Sequence, residues 1–403
     1  MEEKNLTGYP SVDRPWLEYY RKEIMNITLP ECTVYQNIYE HNKDYPNDIA
    51  LLYFGKKITY KQLFCEVEKT EKAFISLGVK RGENVVLCTP ATPETIYAIL
   101  AINKIGANAN MLNPTFSGQQ LAGRINETDA VVLIVVNELY GCIKDIISKT
   151  CIKTVISYPA ANCFGAIAKL LKKTKDIPNT VSWDRFIRMG KNISSSVENS
   201  YQKDMPAIMV YSSGTTGVSK GIQLTNDGLN ATILQYEVAG FVMKRQNRYF
   251  AQIPVWFSTG ISVTILTPLC LGVTVILEPM YDFELFYRHI VKYKPHYMVT
   301  ATAFLDYLMN KKHLNDAYGK FKYLVAGGEY VTPQAERRFN EWLKENNNLN
   351  GLYKGYGMCE CGGTITQCHL VKALTYWLFF RQGYCNAYLC LIFLLKEDLS
   401  VFK

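Results

Sequence analysis

Tyr211-Ser212-Ser213-Gly214-Thr215-Thr216-Gly217-Val218-Ser219-Lys220-Gly221 follows the apolar run Ala207–Tyr211 and precedes a helix predicted to begin near Thr225. Gly214, Gly217 and Gly221 let the backbone turn tightly and present amides with no Cβ in the way. The hydroxyls of Ser212, Ser213, Thr215 and Thr216 and the ammonium of Lys220 surround them. Many donors around one positive charge, between an apolar run and a helix, suit a polyphosphate. A Ser/Gly linker has similar composition, but a linker has no reason to sit between a strand and a helix. The stretch is not a Walker A loop, which needs G-x-x-x-x-G-K-[ST]; here the lysine follows Ser219 and precedes Gly221.

Outward from this stretch, apolar runs alternate with amphipathic ones. Ala50–Phe54, Val85–Cys88, Val131–Val136, Val273–Leu277, Tyr297–Thr300 and Tyr323–Ala326 read as strands. Thr59 with Gln62 and Ser117 with Gln120 form capping boxes, and Thr92-Pro93 sets a cap residue before a first-turn proline. Tyr60, Leu63, Phe64, Val67, Phe74 and Leu77 follow helical spacing to Gly78, where a left-handed cap is expected. Apolar, non-alternating strands between helices predict an α/β fold with parallel sheets covered by helices, in two β/α halves. Lys191–Lys203 is polar and Ser/Asn-rich, a predicted solvated connection.

Composition bounds the rest. The 403 residues are 48% hydrophobic and 20% charged, which excludes wholesale disorder and a polytopic membrane protein. The formal charge of +8 is spread without basic blocks, so nucleic acid is not an expected partner. The start, MEEKNLTGYP, is acidic and polar and has no signal-peptide pattern, and the twelve cysteines have no regular spacing. Reduced thiols in a cytoplasmic chain are the expectation.

The stretch at 211–221 resembles the signature [YF]-[ST]-S-G-[ST]-T-G-x-P-K-G of the adenylate-forming (AMP-binding) superfamily, which includes acyl-CoA synthetases, luciferases and peptide-synthetase adenylation domains, with Ser219 at the usual proline. Further blocks follow in the family's order. They are Ile58–Leu63, Lys104–Ala107 ending at Asn113-Pro114, Ile253–Gly260, Ala326-Gly327-Gly328-Glu329 and Gly355-Tyr356-Gly357-Met358-Cys359-Glu360. The resemblance implies a large adenylation domain over 1–368, incomplete at its C-terminal end, with two parallel-sheet subdomains and the small C-terminal domain missing.

It also implies roles. Ser212, Ser213, Gly214, Thr215, Thr216, Gly217 and Lys220 would bind ATP, and Lys220 and Glu360 would be catalytic. Gly327, Gly328 and Glu329 would line the adenine and acyl pocket, and Gly355, Tyr356 and Gly357 would hold the adenine, Tyr356 by stacking. Glu360 would hold Mg²⁺ with Ser212 as hydroxyl partner. Cys359 stands where threonine usually meets the α-phosphate, a much weaker donor. The implied reaction is that of a ligase: carboxylate plus ATP gives acyl-adenylate and pyrophosphate, with CoA or a carrier-protein thiol as acceptor.

Trp256, Phe257 and Gly260 would lie in the acyl pocket, Phe257 at the family's histidine. Trp256 and Phe257 could equally be core packing. No acid lies between Pro254 and Gly260, and a buried ammonium without a carboxylate is costly. The expected partner is therefore a small-molecule carboxylic acid without an α-amine, fatty or aromatic.

The resemblance stops near Cys368, before the ribose-binding T-G-D block and the lysine-bearing small domain. Residues 369–403 are instead a hydrophobic tail, in which Arg381-Gln382-Gly383 interrupts the apolar run Ala373–Leu395. A frameshift or truncation is favoured over a tilted membrane helix. Impaired ligase activity follows as an expectation, and a non-catalytic nucleotide-binding remnant is the alternative. Cys359, Cys361, Cys368 and His369 lack zinc-site spacing.

Overall fold

The predicted helix starts form as their side chains dictate. The computed structural model describes residues 7, 9, 28–160, 177–194, 201–212, 219–238, 243–311 and 315–367. In helix Tyr60–Ser76 the Thr59 hydroxyl accepts from the Gln62 amide at 3.3 Å, and the Gln62 side chain accepts from the Thr59 amide at 2.9 Å. Ser117 and Gln120 repeat that reciprocal cap at the start of helix Gly118–Asn126. Thr92 caps helix Pro93–Ile105, and Gly78 adopts φ +80° past the end of helix Tyr60–Ser76.

Among the described residues, fifteen strands build two sheets. Strands β1 (Ile49–Tyr53), β2 (Lys56–Thr59), β3 (Asn84–Cys88), β4 (Asn108–Met111) and β5 (Val132–Val136) come first. Next are β6 (Thr154–Tyr158), β7 (Val181–Ser182), β8 (Pro206–Ser212), β9 (Lys220–Thr225) and β10 (Arg248–Ala251). Last come β11 (Thr274–Leu277), β12 (Tyr297–Thr300), β13 (Tyr323–Gly327), β14 (Leu352–Met358) and β15 (Gly363–Gln367). One sheet has the order β7-β6-β5-β3-β4-β8-β9, parallel except for the β8–β9 edge. The other has the order β15-β14-β13-β12-β10-β11-β1-β2, parallel except at its two edge pairs.

Strand β5 is buried along its whole length, as expected of a parallel strand covered on both faces. One core cluster joins the sheets, with Leu51 and Tyr53 of β1, Val85 and Leu87 of β3, and Val275 and Leu277 of β11. A second lies outside the larger sheet, where Phe250, Met298 and Leu324 meet Phe286, Phe304 and Phe339. Each such phenylalanine contributes about 1.5–3 kcal/mol by burial.

The helix expected near Thr225 starts at Asn226, but between it and the stretch at 211–221 lies a strand that the sequence did not announce: β9, paired antiparallel with β8. Only Leu224 of β9 is buried, so the strand carries no apolar run to betray it. The polar stretch Lys191–Lys203 is described at its ends, where Arg81 donates to the Gln202 side chain at 3.0 Å and Tyr201 donates to Asp227 at 2.8 Å. The tail 369–403 lies outside the described residues. Among the described residues no helix is long and apolar enough to cross a membrane.

Candidate functional site

The hairpin β8–β9 brings Ser212 directly opposite Lys220. Ser213, Gly214, Thr215, Thr216 and Gly217, expected to bind phosphate, fall outside the described residues. The base of the hairpin is built firmly. Tyr211 is 5% exposed, its hydroxyl donates to the Asn110 side chain at 3.0 Å, and burial pushes its phenol up to about 12. A Cβ on Gly221 would sit 3.3 Å from both Met209 Sδ and Tyr211 Cε1, so the glycine lets β9 lie close over β8. Lys220 is exposed and bonds to no other described side chain.

A second group of residues sits at the carboxyl ends of β13 and β14. Gly327 pairs with Gly355, and a Cβ on Gly327 would lie 2.8 Å from the Gly355 oxygen. A Cβ on Gly357 would lie 1.6 Å from the Gly363 oxygen. The backbones therefore approach too closely for any side chain but hydrogen. Gly328 adopts φ +82°. Tyr356, on the strand between Gly355 and Gly357, is 63% exposed and presents an open ring.

Beyond Met358 the chain makes a 3₁₀ turn, Cys359–Cys361, ending at Gly362 with φ +68°. This turn packs against β8 and β9, which brings Glu360 to the hairpin carrying Ser212 and Lys220. Glu360 is exposed and has no ion pair or hydrogen bond with another described residue. Cys359 is half-buried against the core. The turn is anchored by the Ser262 hydroxyl, which donates to the Gly362 carbonyl, and by a 3.0 Å bond between Tyr236 and Thr364.

Glu329 has a structural task that its sequence neighbourhood does not announce. Its carboxylate accepts from the amide and the hydroxyl of Thr302, both at 2.7 Å. It thereby satisfies the start of helix Thr302–Met309, where a negative charge is favoured.

The segment after β10 turns sharply: the Phe257 amide donates to the Pro254 carbonyl at 3.0 Å. A Cβ on Gly260 would lie 2.0 Å from the Pro254 oxygen, so this position requires glycine. A π-helix, Thr259–Leu266, follows and is buried from Gly260 onward; such helices are often found at functional sites. Trp256 packs against the core, whereas Phe257 is 41% exposed, their rings 6.3 Å apart. Of the two aromatic residues, Trp256 is partly buried and Phe257 open.

The larger sheet runs β14-β13-β12-β10 through this region, and the blocks at 253–260, 327–329 and 355–360 lie at or just beyond the carboxyl ends of β10, β13 and β14. Ligands of open α/β sheets bind at that edge. Among the described residues no group of three or more His, Cys, Asp or Glu could hold a metal; Cys368 and His369 lie outside them. Arg124 was not singled out by sequence reading. It donates to the Ser219 carbonyl from helix Gly118–Asn126, and only the fold shows that proximity.

A family model described as AMP-binding enzyme matches residues 38–377. A long-chain-fatty-acid–CoA ligase of Haemophilus influenzae is 24% identical over 349 residues, 81% of this chain and 60% of that protein. An acetyl-coenzyme A synthetase of Shewanella pealeana is 27% identical over 318 residues, 75% of this chain and 49% of that protein. The chain thus spans between half and three-fifths of the length of these curated relatives. The crystal structure of a long-chain-fatty-acid-CoA ligase from Archaeoglobus fulgidus aligns with a TM-score of 0.74 at 19% identity, covering 87% of this chain and 68% of that one. At that identity the likeness concerns the fold.

Proposed function

Because the chain belongs to the AMP-binding enzyme family, we propose that it activates a carboxylic acid with ATP, forming an acyl-adenylate and releasing pyrophosphate. The observation that carries this reading is the meeting of the Ser212–Lys220 hairpin with the turn that bears Glu360. A carboxylate oxygen of the substrate attacks the α-phosphorus, and the bond to the β-phosphate oxygen breaks. Both reactants are anions and no proton is transferred, so the site needs charge neutralisation and alignment rather than a general base. Lys220 meets the charge that develops on the departing pyrophosphate. Tyr356 offers an open ring for the adenine face, beside the bare backbone at Gly327, Gly355 and Gly357.

Mg²⁺ suits the oxygen donors available. Glu360 has a carboxylate without a described partner, on a turn packed against the strand that ends in Ser212. This hard cation takes one or two carboxylates together with substrate phosphates, and when bound it supplies charge neutralisation on those phosphates. Phe257 and Gly260 border the acyl group. With no acid between Pro254 and Gly260, the substrate is a fatty or aromatic acid lacking an α-amine. CoA or a carrier thiol is the proposed acceptor, although no residue here is assigned to that second step.

Carboxylate-dependent exchange of labelled pyrophosphate into ATP tests the proposal. Exchange is expected with at least one acid in a broad panel and lost in Lys220→Ala and Glu360→Ala. ATP binding without exchange for any acid would instead favour a non-catalytic nucleotide-binding module. The half-buried thiol of Cys359 where the family has a hydroxyl is the observation on that side.

A further inference from the structure

The geometry points to Arg124 as a positioning residue for Lys220, an inference that rests on the proposed nucleotide role of the hairpin. Arg124 lies in the last turn of helix Gly118–Asn126 and its side chain is only 15% exposed. The guanidinium makes three contacts at once. One nitrogen donates to the carbonyl of Ser219, the residue immediately before Lys220. The other holds the Glu127 carboxylate at 2.7 and 3.0 Å, and the group's centre lies 5.4 Å from the centroid of the Tyr211 ring.

Tyr211 precedes Ser212, so the same guanidinium grips both arms of the hairpin next to the Ser212–Lys220 pair. The far side of the grip is closed as well. The Tyr211 hydroxyl donates to Asn110, Asn110 donates to Thr128 at 3.1 Å, and Thr128 donates to the Ile125 carbonyl at 3.0 Å. That closed ring ties the end of the Arg124 helix to β4 and β8.

The planar fork of arginine is what the position requires. A guanidinium serves two acceptors in fixed directions while stacked on a ring, whereas a lysine ammonium has only one centre of charge. The anchor is the Ser219 backbone, because the Ser219 hydroxyl is buried and finds no partner among the described residues. Ser219 stands where the resemblance expects proline, a residue that stiffens the chain by itself. Here an external arm supplies the restraint. Glu127, 59% exposed, orients the fork but adds little, as is usual for a surface carboxylate.

Two measurements on the full chain test this: hydrogen–deuterium exchange of the amides from Lys220 to Leu224, and kinetics of ATP–pyrophosphate exchange. Arg124→Ala and Arg124→Lys are both expected to speed amide exchange in that segment about 10-fold. They should also lower kcat about 10-fold while the KM for ATP stays within about 2-fold. Ser219→Ala and Glu127→Ala should behave as wild type in both. If Arg124→Lys retains wild-type exchange and kcat, charge alone suffices and the inference falls. It also falls if amides of β3 and β5 accelerate equally, because Arg124 would then only hold the fold together. A wild-type chain without pyrophosphate exchange would overturn the functional reading instead, and the amide measurement would still decide the role of Arg124.

Discussion

The two ends of the larger sheet are built in opposite ways. At the amino ends of its strands several polar groups pair with one another. The Tyr297 hydroxyl accepts from the Lys244 amide at 3.0 Å and from the Asn247 side chain at 2.7 Å. His296 accepts from the Arg248 amide at 3.2 Å, its own amide donates back to the Arg248 carbonyl, and its carbonyl takes the Lys322 amide. At the carboxyl ends the backbone is bare glycine, and Phe257, Tyr281, Tyr330, Tyr356 and Met358 are exposed. The charges of Glu360 and of Lys220 on the adjoining hairpin have no partner among the described residues. One end is largely closed on itself and the other is open, which matches stability at the first and the function proposed above at the second.

The largest test of that contrast is Gly357→Ala. Its new methyl would lie on the Gly363 oxygen and force β15 from β14, so a loss of about 4 kcal/mol is expected in urea unfolding. A loss under about 1 kcal/mol would mean the glycine packing is looser than its geometry implies. Next comes Lys220→Ala, expected to lower pyrophosphate exchange about 100-fold while unfolding stability shifts by no more than about 0.5 kcal/mol. A drop in both would erase the distinction between the ends.

Tyr297→Phe should do the reverse. It strips the acceptor from two donors beneath a fully buried ring, and should lose about 2 kcal/mol with exchange activity intact. The smallest effect concerns pH. Burial first, then the charges of Arg248 and nearby lysines, pull the His296 imidazole down to about 4. The unfolded chain then binds the proton more tightly, so this contribution is full above pH ~6.5 and is lost as pH falls towards 4. About 1 kcal/mol is expected after allowing for solvent screening of a half-buried ring. His296→Gln should flatten the slope of unfolding free energy over that range, and an unchanged slope would remove His296 as its source.

What the chain announces in advance is mostly local. Thr59 with Gln62, Ser117 with Gln120 and Thr92-Pro93 state their helix starts within three or four residues, and the structure keeps all of them. The apolar strands and the parallel sheets were legible for the same reason, each strand carrying its own burial. Strand β9 was not, because Lys220–Thr225 turns little but Leu224 inward. Gly260–Leu266 is buried on every side, so its π-helix leaves no periodic trace. Within the candidate site, motif residues such as Tyr356, Glu360 and Lys220 are proposed from the sequence alone. The bonds from Glu329 to Thr302 and from Arg124 to Ser219 join residues far apart in sequence, and only the closed fold brings them together.

The pairing of Leu51 with Val275 has a consequence for how the protein is made. The seven described strands of the smaller sheet have all been synthesised once Thr225 has been added, because they lie between Asn84 and that residue. The β1–β2 hairpin, although among the first elements to leave the ribosome, must wait for β11 before its inner edge is covered. Non-local pairing of this kind is slow, and an uncovered strand edge invites other chains. Chains stalled before β11 emerges should therefore be cut by protease near β1–β2, and chains stalled after the larger sheet has formed should resist. Equal resistance in both would show that the hairpin is sheltered before its partner arrives.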